Sequence, residues 1–344
     1  MSIVYLLKKE GIVNIKPLDS NQIKTIAKDI AIKLCLAFPE HDLDRQALYN
    51  SFCSLDMYTA TMPKDSSGAK YVANSNAIYF NEDLDFSAIP EVAMHECIHF
   101  IQEKRLTNSN AFVGLTSFAS GLALNEAAVQ LMASEANMSN IEEEKYFGIT
   151  PHTISPNYYP FLTSLIEQIA YLMGEDILVI GILYKGNKLE DELLNTFEAN
   201  TKRIINQFDI IVDINNKLNT ETNQEKIKIY QEEITAMYID TQNKIFSTYF
   251  EKILPKLTTC QEVEYYMDKA VCYRNVMGVS TQERFLFGSF YDIKLEELIS
   301  KYEKKKIQIC KKRDSNTLTV ISDNKIIKLI KKIIAYFSAQ KDEQ

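Results

Sequence analysis

The run Met94-His95-Glu96-Cys97-Ile98-His99-Phe100 constrains this chain more than any other stretch. Residues four apart on a helix share one face, a turn from each other, and the apolar residues here keep helical spacing. Two imidazoles so placed can turn their ring nitrogens to a single ion, as tetrahedral zinc requires. Glu96 flanks the same face, where a carboxylate can reach a water on that ion. The chain has only four histidines, His41, His95, His99 and His152, so a His-rich composition does not explain the pairing.

Around this run the hydrophobic pattern predicts a mixed chain. Residues 3–7 and 12–16 read as short strands on either side of Gly11. Ser20 reads as the cap of a helix carrying Ile23, Ile26, Ile30, Leu34 and Phe38, and Asp44 to Leu55 as a second helix. Strands are expected over 57–62, 69–72 and 77–80, the last two joined by a turn at Asn74-Ser75-Asn76. Ser87 reads as the cap of the motif helix, with Pro90 in its first turn and fraying near Lys104-Arg105. A loop over 107–120 leads to an Ala-rich helix from Leu122 to Ala136. A polar loop over 139–158 precedes helices from Phe161 to Leu172 and from Glu175 to Tyr184, closed by Gly174 and Gly186.

Beyond Leu189 the steps of three, four and seven predict a long helical hairpin turning at 219–223, then helices over 261–273 and 281–305. A late strand over 317–321 and a basic amphipathic helix over 325–337 complete the reading. The fold class expected is α+β, with a domain over 1–188 and a mainly helical one over 189–344. That helical half is a candidate surface for a protein partner.

Charge and cysteines narrow the setting. A net charge of −8 argues against nucleic acid as a partner. No run of 18 apolar residues suggests a membrane span, and the first residues lack the apolar length of a secretory signal. Six scattered cysteines with no C-x-x-C pair suit reduced thiols and a cytoplasmic location. Cys97 reads as a buried thiol and His41 as a surface residue without a partner.

A catalytic zinc takes three protein ligands and keeps one position open. The motif helix offers no third donor on its face. Glu126, in Leu122-Ala123-Leu124-Asn125-Glu126-Ala127-Ala128, is the best candidate, with Glu135 next. An H-E-x-x-H followed some tens of residues later by a helical N-E-A resembles the gluzincin zinc metallopeptidases. The resemblance covers about residues 55–185 by order of elements. It implies a zincin-like domain, a small twisted sheet over metal-binding helices. It also implies Zn²⁺ on His95, His99 and Glu126, with Glu96 as general base in peptide-bond hydrolysis. Thermolysin-like relatives carry an acid where Gln130 stands. Some gluzincins place a Tyr where Ala119 stands, so the oxyanion donor must come from elsewhere: Tyr159 first, then Tyr158, then His152. An edge strand beside the cleft would bind extended peptide, which points to Ala77, Ile78 and Tyr79. The alternative is a zincin-like module that no longer cuts and acts through its helical half.

Overall fold

The computed structural model describes residues 3–63, 68–107, 110–112, 121–139, 144–174, 176–184, 188–277 and 287–314. Strands β1 (Val13–Pro17), β2 (Asp56–Thr61), β3 (Ala69–Val72) and β4 (Ala77–Asn81) form one sheet in the order β1-β2-β4-β3. β2 runs parallel to β4, and the outer pairs are antiparallel. β4 is central, and its Ala-Ile-Tyr-Phe run is buried on both faces. Ile78 and Phe80 face the main core, while Ala77 and Tyr79 face a smaller cluster with Leu7 and Ile12. This is the period-two division of a sheet covered on both sides.

Leu7 belongs to helix α1 (Ile3–Lys9), so residues 3–7 are helical where the branched apolar residues predict a strand. The chain then turns at Gly11 (φ +76°), with Ile12 buried under the sheet, before β1 begins. Helix α2 (Ser20–Ala37) is capped by Asp19, not Ser20. The Asp19 carboxylate accepts from the amides of Asn21 and Gln22, and Gln22 accepts back from the Asp19 amide. Such a reciprocal box satisfies amides that a helix start leaves unpaired. Helix α3 (Arg45–Cys53) takes Asp44 as its cap. The turn between β3 and β4 falls where expected, as a tight helical turn over Ala73–Ser75 ending at Asn76 in the left-handed region.

The motif helix is α4 (Ile89–Gln102). Ser87 does not cap it; Ser87 lies inside a preceding 3-10 turn, and the capping position falls on Ala88. Past Gln102 the chain enters a small ribbon, β5 (Lys104–Thr107) against β6 (Asn110–Phe112), where fraying and loop were expected. Helix α5 (Leu122–Ala136) matches its expected bounds, and its alanines let it be buried nearly all round.

Helices α6 (Pro160–Met173), α7 (Asp176–Leu183) and α8 (Lys188–Phe197) follow. The helical hairpin is α9 (Thr201–Thr220) with α10 (Gln224–Ile253), and α11 (Cys260–Met277) and α12 (Phe287–Asp314) follow it. One apolar cluster runs without a break from Ile26 on α2 through α4, α5, α6, α9 and α10 to Tyr302 on α12. Among the described residues, no helix is long and apolar enough to cross a membrane. Gly186, the strand expected over 317–321 and the basic helix over 325–337 lie outside the described residues.

Segments far apart in the chain meet at the start of α5. Asp209 on α9 accepts from the main-chain amides of Gly121 (2.9 Å) and Ala123 (3.1 Å), one to each carboxylate oxygen. It caps a helix 86 residues away with the negative charge that a helix N-terminus favours. Asp209→Ala is expected to cost about 0.5–2 kcal/mol in chemical denaturation. Asp209→Asn, which keeps one acceptor, should recover part of that loss. An unchanged unfolding midpoint in Asp209→Ala would show that the cap contributes nothing.

Candidate metal centre

α4 presents His95 and His99 one turn apart, and α5 crosses them with Glu126. A buried hydrogen bond from Gln102 Nε2 to Asn125 Oδ1 (2.6 Å) fixes α4 against the residue before Glu126. Asn137 Nδ2, just past the end of α5, donates to the Glu91 carbonyl (3.2 Å) in the first turn of α4. The two helices are therefore pinned on both sides of the centre.

Three donor atoms converge. His95 Nε2 lies 3.0 Å from His99 Nε2, and the Glu126 carboxylate lies 3.2 Å from the first and 3.3 Å from the second. These three residues are the only group of metal-ligand type found among the described residues. Ligands at 2.0–2.1 Å from a tetrahedral zinc stand about 3.3 Å from each other. The spacing therefore fits zinc, and two imidazoles with one carboxylate are a donor set it takes. Glu135 is exposed and outside the cluster.

Charge is balanced inside this group. Burial alone would raise the Glu126 carboxyl, but hydrogen bonds from His95 and His99, and their charge, hold it well below the usual carboxylate range. Burial alone would lower His95; the hydrogen bond to Glu126 and the charges of Glu96 and Glu126 outweigh that and raise it. The sign of the pH dependence follows. The Glu126 contribution is present above its ordinary 4.5 and is lost as pH falls through its depressed value. The His95 contribution is present below its ordinary 6.5 and is lost as pH rises through its raised value. In metal-free protein, Glu126→Gln should lower the melting temperature most between 4.5 and 6.5, and less in the alkaline range. Melting curves that differ equally from about pH 5 to about pH 9 would contradict this.

Glu96 is buried and points to the sheet. Its Oε2 accepts from the Tyr71 main-chain amide at 2.6 Å, which leaves Oε1 for a water. Tyr71 lies on β3, at the sheet edge, and its hydroxyl is hydrogen-bonded to Glu103 at the end of α4. Beside Glu96, burial and then the Glu96 charge push the Cys97 thiol well up, so it is an inert buried thiol as expected.

Tyr159 is the residue preceding the first turn of α6, with φ 53° and ψ 44°. A non-glycine residue held in the left-handed region costs on the order of 1–3 kcal/mol, and such residues cluster at functional sites. Tyr159 is 41 % exposed; its partial burial, and then the charges of Glu126 and Glu96, raise its phenol, so it keeps its proton. Tyr158 is about half exposed, and its carbonyl accepts from Ser155 (3.0 Å). His152 is not one of the three clustered ligands. Its Nδ1 lies 3.9 Å from Glu167 on α6.

Ala77, Ile78 and Tyr79 cannot bind peptide by their main chain. They lie on β4, which is paired on both sides, and all three are buried. Sequence adjacency to α4 suggested β4, but the hairpin folds β3 to the outside. Among the described residues, the edge of the sheet beside α4 belongs to β3, whose Tyr71 amide donates to Glu96. Nor is His41 alone: its Nε2 is 3.5 Å from Asp176, and Tyr184 donates to its carbonyl at 2.6 Å.

Sequence reasoning also missed Ser155 and Glu167. Glu167 accepts from the Thr153 hydroxyl and the Ile154 amide, fixing the loop before Tyr159 on α6. No local pattern marks either residue, because both act across a fold that brings distant segments together. Gln130 was noted for its position one turn after Glu126. Its Oε1 lies 2.9 Å from His95 Nδ1, so an amide stands where a carboxylate would orient the ring. No known protein family, curated protein or solved structure matches the chain.

Proposed function

We propose that the chain is a zinc-dependent peptidase of the gluzincin kind, with His95, His99 and Glu126 as ligands and Glu96 as general base. The approach of three donor atoms to within 3.0–3.3 Å of each other carries this reading. Zinc held by them would polarise a scissile carbonyl and make a water in the open position more acidic.

The remaining steps belong to side chains. Glu96, held by the Tyr71 amide, takes a proton from the attacking water as the carbon–oxygen bond forms. It then passes that proton to the nitrogen as the carbon–nitrogen bond breaks, giving a carboxyl and an amine. Tyr159 donates to the oxygen that gathers negative charge, and its raised phenol keeps the proton it needs. An extended peptide or protein segment runs along the outer edge of β3 and adds a strand to the sheet. A zinc-binding module without activity has no use for a buried carboxylate held this way, which favours the enzyme over the silent alternative.

The test is direct. Purified protein should carry about one zinc and cleave an unstructured peptide library. Chelation should stop cleavage, and added zinc should restore it. Protein with no zinc after expression in zinc-supplemented medium, and none taken up later, would overturn the reading.

A further inference from the structure

Gln130 could present either end of its amide to His95, and only the oxygen would fix the ring proton at Nδ1. Its surroundings decide which. The Tyr158 main-chain carbonyl can only accept, so Ser155, whose Oγ lies 3.0 Å from it, donates its one hydroxyl proton there. Ser155 Oγ is then an acceptor for Gln130, 3.1 Å away, which must face it with Nε2. The second amide proton goes to Ser134 Oγ, also at 3.1 Å. Both serines are buried, so water competes poorly for these bonds. The amide oxygen remains for His95, whose Nδ1, 2.9 Å away, must carry the hydrogen. In the neutral ring His95 Nε2 is then a lone pair facing His99 Nε2 and Glu126, and its hydrogen bond to Glu126 belongs to the protonated ring.

Ser155 is itself fixed from behind. Its amide donates to Thr153 Oγ1 (3.1 Å), and Thr153 donates to Glu167 on α6 (2.7 Å). The same serine thus joins the loop leading into Tyr159 to the imidazole on α4.

We propose that Gln130 and Ser155 are positioning residues, a neutral relay from the Tyr158 carbonyl to His95 that fixes the metal-binding tautomer and ties it to the 153–159 loop. The relay rests on the zinc reading only for its purpose, because the tautomer can be measured without metal.

The experiment records ring-nitrogen NMR shifts of metal-stripped protein in the alkaline range, at a pH beyond which the His95 shifts no longer change. Four histidines make the spectrum assignable. His95 is expected to carry its proton on Nδ1, and Gln130→Leu to move it toward Nε2. Zinc affinity, read by competition with a chromophoric chelator, should fall about 10–100-fold in Gln130→Leu. Ser155→Ala should lose about tenfold, at the low end of that range, and serves if the Leu variant does not fold. Gln130→Glu still accepts from Nδ1 and should keep the wild-type tautomer; it has no proton for Ser155 or Ser134, so it tests the His95 end of the relay alone. A wild-type His95 protonated on Nε2 would overturn the relay. So would Gln130→Leu or Ser155→Ala with both tautomer and affinity unchanged. Protein that binds no zinc, yet shows the Nδ1 proton and its loss in Gln130→Leu, would sink the zinc reading and leave the relay standing.

Discussion

Glu96→Gln is expected to keep the fold and about one zinc while hydrolysis falls by about 10²–10⁴-fold, the usual worth of a positioned general base. The substitution is clean for a structural reason. The Glu96 carboxylate is outside the triangle of donor atoms formed by His95, His99 and Glu126. Among the described residues its hydrogen-bond partner is the Tyr71 amide, a donor at 2.6 Å that a glutamine oxygen can still satisfy. Shape and the β3 contact survive, and the capacity to hold a proton does not. The loss should appear in kcat at saturating peptide, with zinc content and near-ultraviolet circular dichroism unchanged. A variant that cleaved at the wild-type rate would remove Glu96 from the mechanism and return the proton transfer to another group.

What could be read in advance follows from where each interaction is encoded. His95 and His99 share one helix face, so spacing alone brings them together. Helix α5 was legible to the residue because Leu122 to Ala136 holds no breaker and many strong helix formers. Helix α1 was not: its Ile-Val-Tyr-Leu-Leu run has strand composition, and the packing of Leu7 under the sheet overrides it. The choice of β4 over β3 failed because lateral order in a sheet is not a local property. Both strands read as short apolar runs, and only their pairing shows that β4 is enclosed. Asp209, Ser155 and the Tyr71 amide act through main-chain groups or over long separations, for which no residue pattern exists.

Glu126→Ala should cost more zinc affinity than any outer-partner change, beyond the roughly 10–100-fold expected there. Two imidazoles would remain, 3.0 Å apart, with no negative charge among the ligands and two positions left to water. Among the described residues, no other acid belongs to the donor cluster. Glu96 is held away from the donor triangle by the Tyr71 amide on its Oε2, and Glu135 is exposed nine residues further along α5, two and a half turns away on another face. Metal-stripped Glu126→Ala should therefore fail to retain one zinc through dialysis, although the donors on α4 are untouched. Zinc content equal to the wild type would mean that a different acid completes the site. The general base and the oxyanion donor would then have to be assigned afresh, because the charges of Glu126 and Glu96 are what link the Tyr159 phenol to this centre.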